Sequence, residues 1–216
     1  MLDEHQLAKR EFVRQFFEEY RRRWRNIKSL HKDYPSEGLV LAYCFVEAMG
    51  YYRFGFGDTK LSSTEQFIKI LFDYQENKHF FVIPPLVIKQ LPIESRRRTI
   101  GREIKLELLQ WLKDEHSESI GLRIDLLWET VSKEVKKRLP ESEHKKVGHL
   151  YQICWAGWYY DLIRTAGVHR AHFPERESGD WETIHQAGES ILENLRNECL
   201  EKVKFPHQLP QSSSIF

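Results

Sequence analysis

From Leu39 to Met49 the chain reads LVLAYCFVEAM, apolar in every direction around a helix and interrupted only by Glu47. A membrane-spanning helix needs about 20 such residues, roughly twice this run. The segment is therefore predicted to be a buried helix running from about Glu37 to Tyr52, with Pro35, Ser36 and Glu37 supplying a stop followed by an N-cap. A helix that is apolar all round must be surrounded by others, so a bundle is the expected solution.

The flanking sequence supplies the surrounding helices. Val13, Phe16, Phe17, Tyr20, Trp24 and Ile27 recur at three- and four-residue steps, the signature of one long amphipathic helix, taken here as a separate N-terminal element over 1–34. Ser62 with Glu65 and Ser63 with Gln66 both fit a capping box, opening a helix through Phe67, Ile70, Leu71 and Tyr74. Phe80 to Ile83 fits a strand, but Pro84, Pro85 and Pro92 favour an apolar connector with one helical turn. Two helices over about 95–139, one marked by Ile104, Leu108, Trp111 and Leu112 and one by Ile124, Leu127, Val131 and Val135, form an expected inserted hairpin. After Pro140 a seam of Val147, Tyr151, Cys154, Trp158 and Leu162 resumes core character. The last helix starts near Asp180 and carries Trp181, Ile184, Ile191, Leu195 and Cys199. The expected main domain thus spans 35–204, followed by a Pro/Gln/Ser-rich, flexible tail over 205–216. The fold class is all-α.

Composition narrows the function. With 216 residues, 33 Lys and Arg against 32 Asp and Glu, the formal charge is +1; a uniformly basic nucleic-acid coat is excluded, and a local basic patch is not. Three well-separated cysteines, Cys44, Cys154 and Cys199, fit reduced core positions and neither a disulfide framework nor a zinc knuckle. The opening LDEHQLAKRE has no secretory character, so a soluble, cytoplasmic protein with no membrane association is expected.

No phosphate-binding glycine loop, dinucleotide fingerprint, nucleophile elbow or His-Glu-x-x-His helix is present. What remains is the junction YYDLIRTAGVHRAHFPE, Tyr159 to Glu175, which concentrates Arg164, His169, Arg170, His172 and Glu175 around a turn at Gly167. Arg164, four intervening residues and His169 resemble the Arg-x(4–6)-His motif of the HEPN superfamily, which lies at the end of the third helix of a four-helix bundle. LVLAYCFVEAMGYYRFG is similar to the first core helix of that family, with its acidic residue near the end. SSTEQFIKILFDY resembles the second, HLYQICWAGWYYDLIR the third, and Trp181 to about Val203 the fourth. The likeness covers roughly half the chain and departs from the family at Thr165, where Asn, Asp or His is common, and at Arg170, where a small or acidic residue is common.

The resemblance implies a metal-independent endoribonuclease without cofactor, a homodimer in which both protomers supply Arg and His to one cleft, in a toxin–antitoxin, antiviral or stress-response setting. Partners would be RNA and an antitoxin or nucleotidyltransferase-type protein. Arg164 would stabilise the phosphate and His169 would do acid/base work, because imidazole titrates near neutrality and guanidinium stays charged. Thr165 and His172 would support them. The same cleft in a non-catalytic module would bind RNA or a nucleotidyltransferase-type partner instead.

Simpler readings stand beside these. Glu47 either orients Arg164 or His169 across the bundle or makes a structural pair. His169, His172 and Glu175, joined by His144, His149 or His185, would give a metal-binding bundle. Arg96, Arg97 and Arg98, with Arg170, are candidate RNA contacts, as are the runs Arg21–Arg25 and Lys136–Arg138; such runs are more often solvated helix faces. Trp24 suits either base stacking or the core.

Overall fold

A computed structural model describes residues 4–55, 61–74, 78–83, 102–116, 126–147, 150, 154–160 and 178–204. These residues are mostly helical, and they fall into two compact units, 1–76 with 160–215, and 77–159.

The first unit contains α1 (Glu4–Asp33), α2 (Pro35–Phe54), α3 (Ser63–Tyr74) and α8 (Ser178–Lys204). Its centre is α2, which packs against all three of the others, as its all-round apolarity requires. Tyr43, Val46 and Met49 are fully buried. The helix begins at Pro35 rather than after it. Tyr34 is the N-cap and makes no side-chain cap bond, so the expected stop and N-cap over Pro35–Glu37 does not form. Proline suits the first helical position because its missing N–H would be unpaired there anyway and its φ is already helical.

One residue therefore joins α1 to α2. The Tyr34 N–H donates to the Leu30 carbonyl at 2.8 Å, and the Gly38 N–H donates to the Tyr34 carbonyl at 2.9 Å. A Cβ on Gly38 would stand 2.5 Å from His31, so only glycine lets the two helices meet this closely. In consequence α1 is part of the bundle and not an addition to it.

The period read from sequence along α1 is the period of its buried face: Phe17, Tyr20 and Trp24 are buried. Helix α8 runs antiparallel beside it, pairing His31 with Trp181, Trp24 with Gly188 and Arg21 with Glu193. A Cβ on Gly188 would lie 2.4 Å from the Trp24 ring, a second place where a glycine sets the helix separation.

Helix α3 opens with one capping box, not two. The Ser62 N–H donates to Glu65 Oε2 at 2.7 Å and the Glu65 N–H to Ser62 Oγ at 3.3 Å. Gln66 instead reaches back to the Leu61 carbonyl at 3.0 Å. The Gln66 N–H is taken by the Ser62 carbonyl at 2.9 Å, an ordinary helical bond, so Ser63 is already inside the helix and does not act as its cap.

The second unit holds the two helices read as a hairpin, α4 (Arg102–His116) and α5 (Trp128–Arg138), which pack on each other. Ile104, Leu108, Trp111, Val131 and Val135 form its buried seam. Leu127, expected in the second helix, lies before it in an extended pair: Val82 and Ile83 (β1) are antiparallel to Leu127 and Leu126 (β2). Phe80–Ile83 thus combines both readings, since a 3-10 turn over Lys78–Phe81 leads directly into β1.

Among the described residues, the segment expected as a single third core helix is interrupted at Cys154, which sits in a bend between the short α6 (His144–Val147) and α7 (Trp155–Tyr159), and Tyr160 is still helical after α7. Up to Tyr159 these residues belong to the second unit, and the chain re-enters the first at Tyr160.

Candidate functional site

Of the residues singled out by the motif, Arg164, Thr165, His169, Arg170 and His172 lie outside the described residues, as do Arg96, Arg97 and Arg98. The structure does describe the approach to the motif from both sides. Upstream, Tyr160 is buried, and its hydroxyl donates to Glu47 Oε1 at 2.9 Å. Its ring lies 5.0 Å from that of Phe67 on α3. The carboxylate that interrupts the apolar helix α2 is thereby engaged four residues before Arg164. A hydrogen bond to a charged acceptor contributes about 1.5–3 kcal/mol and offsets part of the cost of placing Glu47 in this helix.

Downstream, α8 is fastened to α1 by a run of stacked rings. His31 lies over Trp181 at 3.7 Å between centroids, Trp24 lies over His185 at 5.7 Å, and Phe45 of α2 packs on Trp24 at 4.8 Å. Trp24 is 3% exposed, so the base-stacking reading is withdrawn: its ring belongs to the core.

Most cations of the described basic runs pair with carboxylates. Glu19 binds both Arg22, at 2.8 Å, and Arg23, at 3.0 Å; hydrogen bonds from these two guanidiniums bring its carboxyl down to about 2. Arg21 pairs with Glu193 of α8, Lys137 with Glu134 at 2.6 Å, and Arg138 with Asp114 at 3.0 Å. These pairs are largely exposed and belong to solvated helix faces.

Among the described residues no group of three or more His, Cys, Asp or Glu side chains is placed to hold a metal ion. His144 Nε2 faces the Leu139 carbonyl at 3.1 Å. Of the three cysteines expected at core positions only Cys154 is buried; Cys44 and Cys199 are half-buried. Cys154 is fully buried and its thiol is pushed up by burial to about 11, while burial and the nearby Glu198 charge raise Cys199. A thiol raised in this way is a poor nucleophile at neutral pH.

One cluster has no counterpart in the sequence reading. Where α2 and α3 end beside α8, Arg53 Nε donates to the Tyr74 hydroxyl at 2.7 Å and Arg53 Nη2 pairs with Glu198 at 3.0 Å. The Tyr74 hydroxyl and Lys202 also donate to Glu198. Burial pushes Glu198 up, but the bonds from Lys202 and Tyr74 and the Arg53 charge outweigh it and hold the carboxyl below its ordinary value. Burial, and then the bond to Glu198, raise Tyr74. Every polar group has a partner here, so the cluster ties three helices together and offers nothing to a ligand. The only sequence hint was a charged or hydroxyl residue at the end of each of two otherwise apolar helices.

Beside this cluster, Phe12, Phe16, Tyr52, Leu195 and Cys199 line a groove of about 220 Å3. Phe12 is 69% exposed at its edge.

No helix among the described residues is long and apolar enough to cross a membrane. Compared with family models, curated proteins and solved structures, the chain finds no match.

Proposed function

We propose that the chain is a HEPN-type endoribonuclease in which Arg164 and His169 cleave RNA without a metal ion, working as a homodimer. The observation that supports this reading is the Tyr160–Glu47 hydrogen bond of 2.9 Å. It engages the acidic residue of the central apolar helix with a side chain four residues before Arg164 in sequence.

The chemistry rests on the side chains. His169, as a neutral imidazole, accepts the proton of an RNA 2′-hydroxyl as that oxygen attacks the adjacent phosphorus. As the P–O5′ bond breaks, the His169 imidazolium gives that proton to the departing 5′ oxygen, and the products are a 2′,3′-cyclic phosphate and a 5′-hydroxyl. Arg164 hydrogen-bonds the phosphoryl oxygens, on which negative charge grows in the transition state. Thr165 and His172 stand close in sequence to orient these groups, and Arg170 with Arg96, Arg97 and Arg98 would hold flanking phosphates. A toxin, antiviral or stress-response role, with an antitoxin as partner, suits such an activity.

The test is cleavage of a mixed RNA pool in EDTA by the parent protein and by Arg164→Ala and His169→Ala. Cutting by the parent alone, leaving cyclic phosphate ends, supports the assignment. RNA retained but uncut by all three proteins points to a non-catalytic RNA-binding module. Glu47→Gln keeps an acceptor for the Tyr160 hydroxyl but removes the charge, so it should lower the cleavage rate more than the stability.

A further inference from the structure

We propose that His185 is an acid-sensitive latch on the seam between α1 and α8: as neutral imidazole it lets the first two turns of α8 pack on α1, and as imidazolium it loosens them. The geometry carries this. His185 is 5% exposed, and its ring fills the seam between Trp24, 5.7 Å away and nearly parallel, and Trp181, 5.5 Å away. Gly188, one turn on, brings the α8 backbone against the same Trp24 ring. The seam therefore has no slack into which a hydrated cation would fit.

The polar surroundings do not accommodate the extra proton well. Nε2 makes no hydrogen bond; Glu189 Oε1 lies 3.2 Å from it, outside hydrogen-bond geometry, on a side chain that is largely in solvent. From α8, Glu189 and Glu182 favour the protonated ring; from α1, Lys28 and His31 oppose it; from α2 the uncharged Phe45 packs on Trp24, the ring that His185 stacks against. Burial is the largest influence and holds the imidazole below its ordinary value. The two carboxylates and the indole faces work against that burial penalty. The latch also has a position of consequence. Trp181 comes nine residues after His172 in sequence, so the seam lies at the start of the helix that follows the motif.

The experiment is hydrogen exchange on the full chain at about pH 7.5 and about pH 5.5, with protection factors corrected for the intrinsic rate and the His185 ring followed by NMR. In the parent protein, protection of amides 181–188 should fall several-fold as the ring titrates, while amides around Glu198 hold. His185→Phe, which keeps a ring, and His185→Gln, which keeps polarity without a proton, should each flatten that dependence. The proposal is overturned if His185 titrates and amides 181–188 keep their protection. It is equally overturned if the ring stays neutral down to about pH 5, or if either folded variant loses protection as the parent does. None of these readouts depends on RNA cleavage.

Discussion

Helix α8 is fastened to its neighbours by different chemistry at its two ends. The first turns hold by stacked rings, Trp181 and His185 against His31 and Trp24, with Gly188 closing the gap. The last turns hold by a polar network, Glu198 with Arg53, Tyr74 and Lys202. Ring packing is short-ranged and indifferent to salt, and it suffers from lost volume or an added charge. The ion network tolerates small changes of shape but depends on Glu198, Arg53 and Lys202 keeping their charges. One helix thus responds to two different perturbations at places about four turns apart.

Truncating the ring end should cost most. Trp24→Ala removes the ring that Phe45, His185 and Gly188 all touch, and is expected to lower stability by about 3–5 kcal/mol, read from denaturant midpoints. Glu198→Ala comes next, at about 2–3 kcal/mol, because Arg53 is left half-buried without its carboxylate; this loss should shrink in high salt, and that of Trp24→Ala should not.

Acid separates the two ends further. His185 is held below its unfolded value, so the unfolded chain binds more protons. Its contribution is therefore full above about pH 6.5 and declines as pH falls from there toward the folded value. Glu198 is likewise held low, but as an acid: its contribution is present above about pH 4.3 and is lost as pH falls through the depressed folded value. Stability measured against pH should show the two losses in separate windows, with His185→Phe removing the upper one and Glu198→Gln reducing the lower, to which Glu19 and Asp114 also contribute. The smallest effect belongs to the surface. Arg22→Ala breaks an exposed pair with Glu19 and should leave the thermal midpoint unchanged within error.

The sequence made legible whatever depends on near neighbours along the chain. The three- and four-residue spacing of Phe17, Tyr20 and Trp24 gave the buried face of α1, and the uniform apolarity of Leu39–Met49 gave the centre of the bundle. Pro35 was misread because a proline that ends one helix and a proline that begins the next look alike locally; the one-residue corner at Tyr34 decides between them. The seam from Val147 to Leu162 has a helical period, yet the described part of it divides between α6, a bend and α7, since periodicity does not register a break in the backbone. The Arg53–Tyr74–Glu198 cluster was invisible because it exists only where three helix ends meet. In the candidate site, Glu47 stood out as a carboxylate needing a partner, but nothing local pointed to Tyr160 as a donor to it.

The corner at Tyr34 also fixes the phase of the molecule. Each residue added to or taken from a helix end turns the next helix by about 100°. With no loop between α1 and α2 to absorb that rotation, a single insertion there would carry Trp24 away from Gly188 and turn the Arg22 face inward. This junction should therefore accept substitutions far more readily than any change in length, and α1 and α2 are in effect one folded rod whose bend cannot be lengthened.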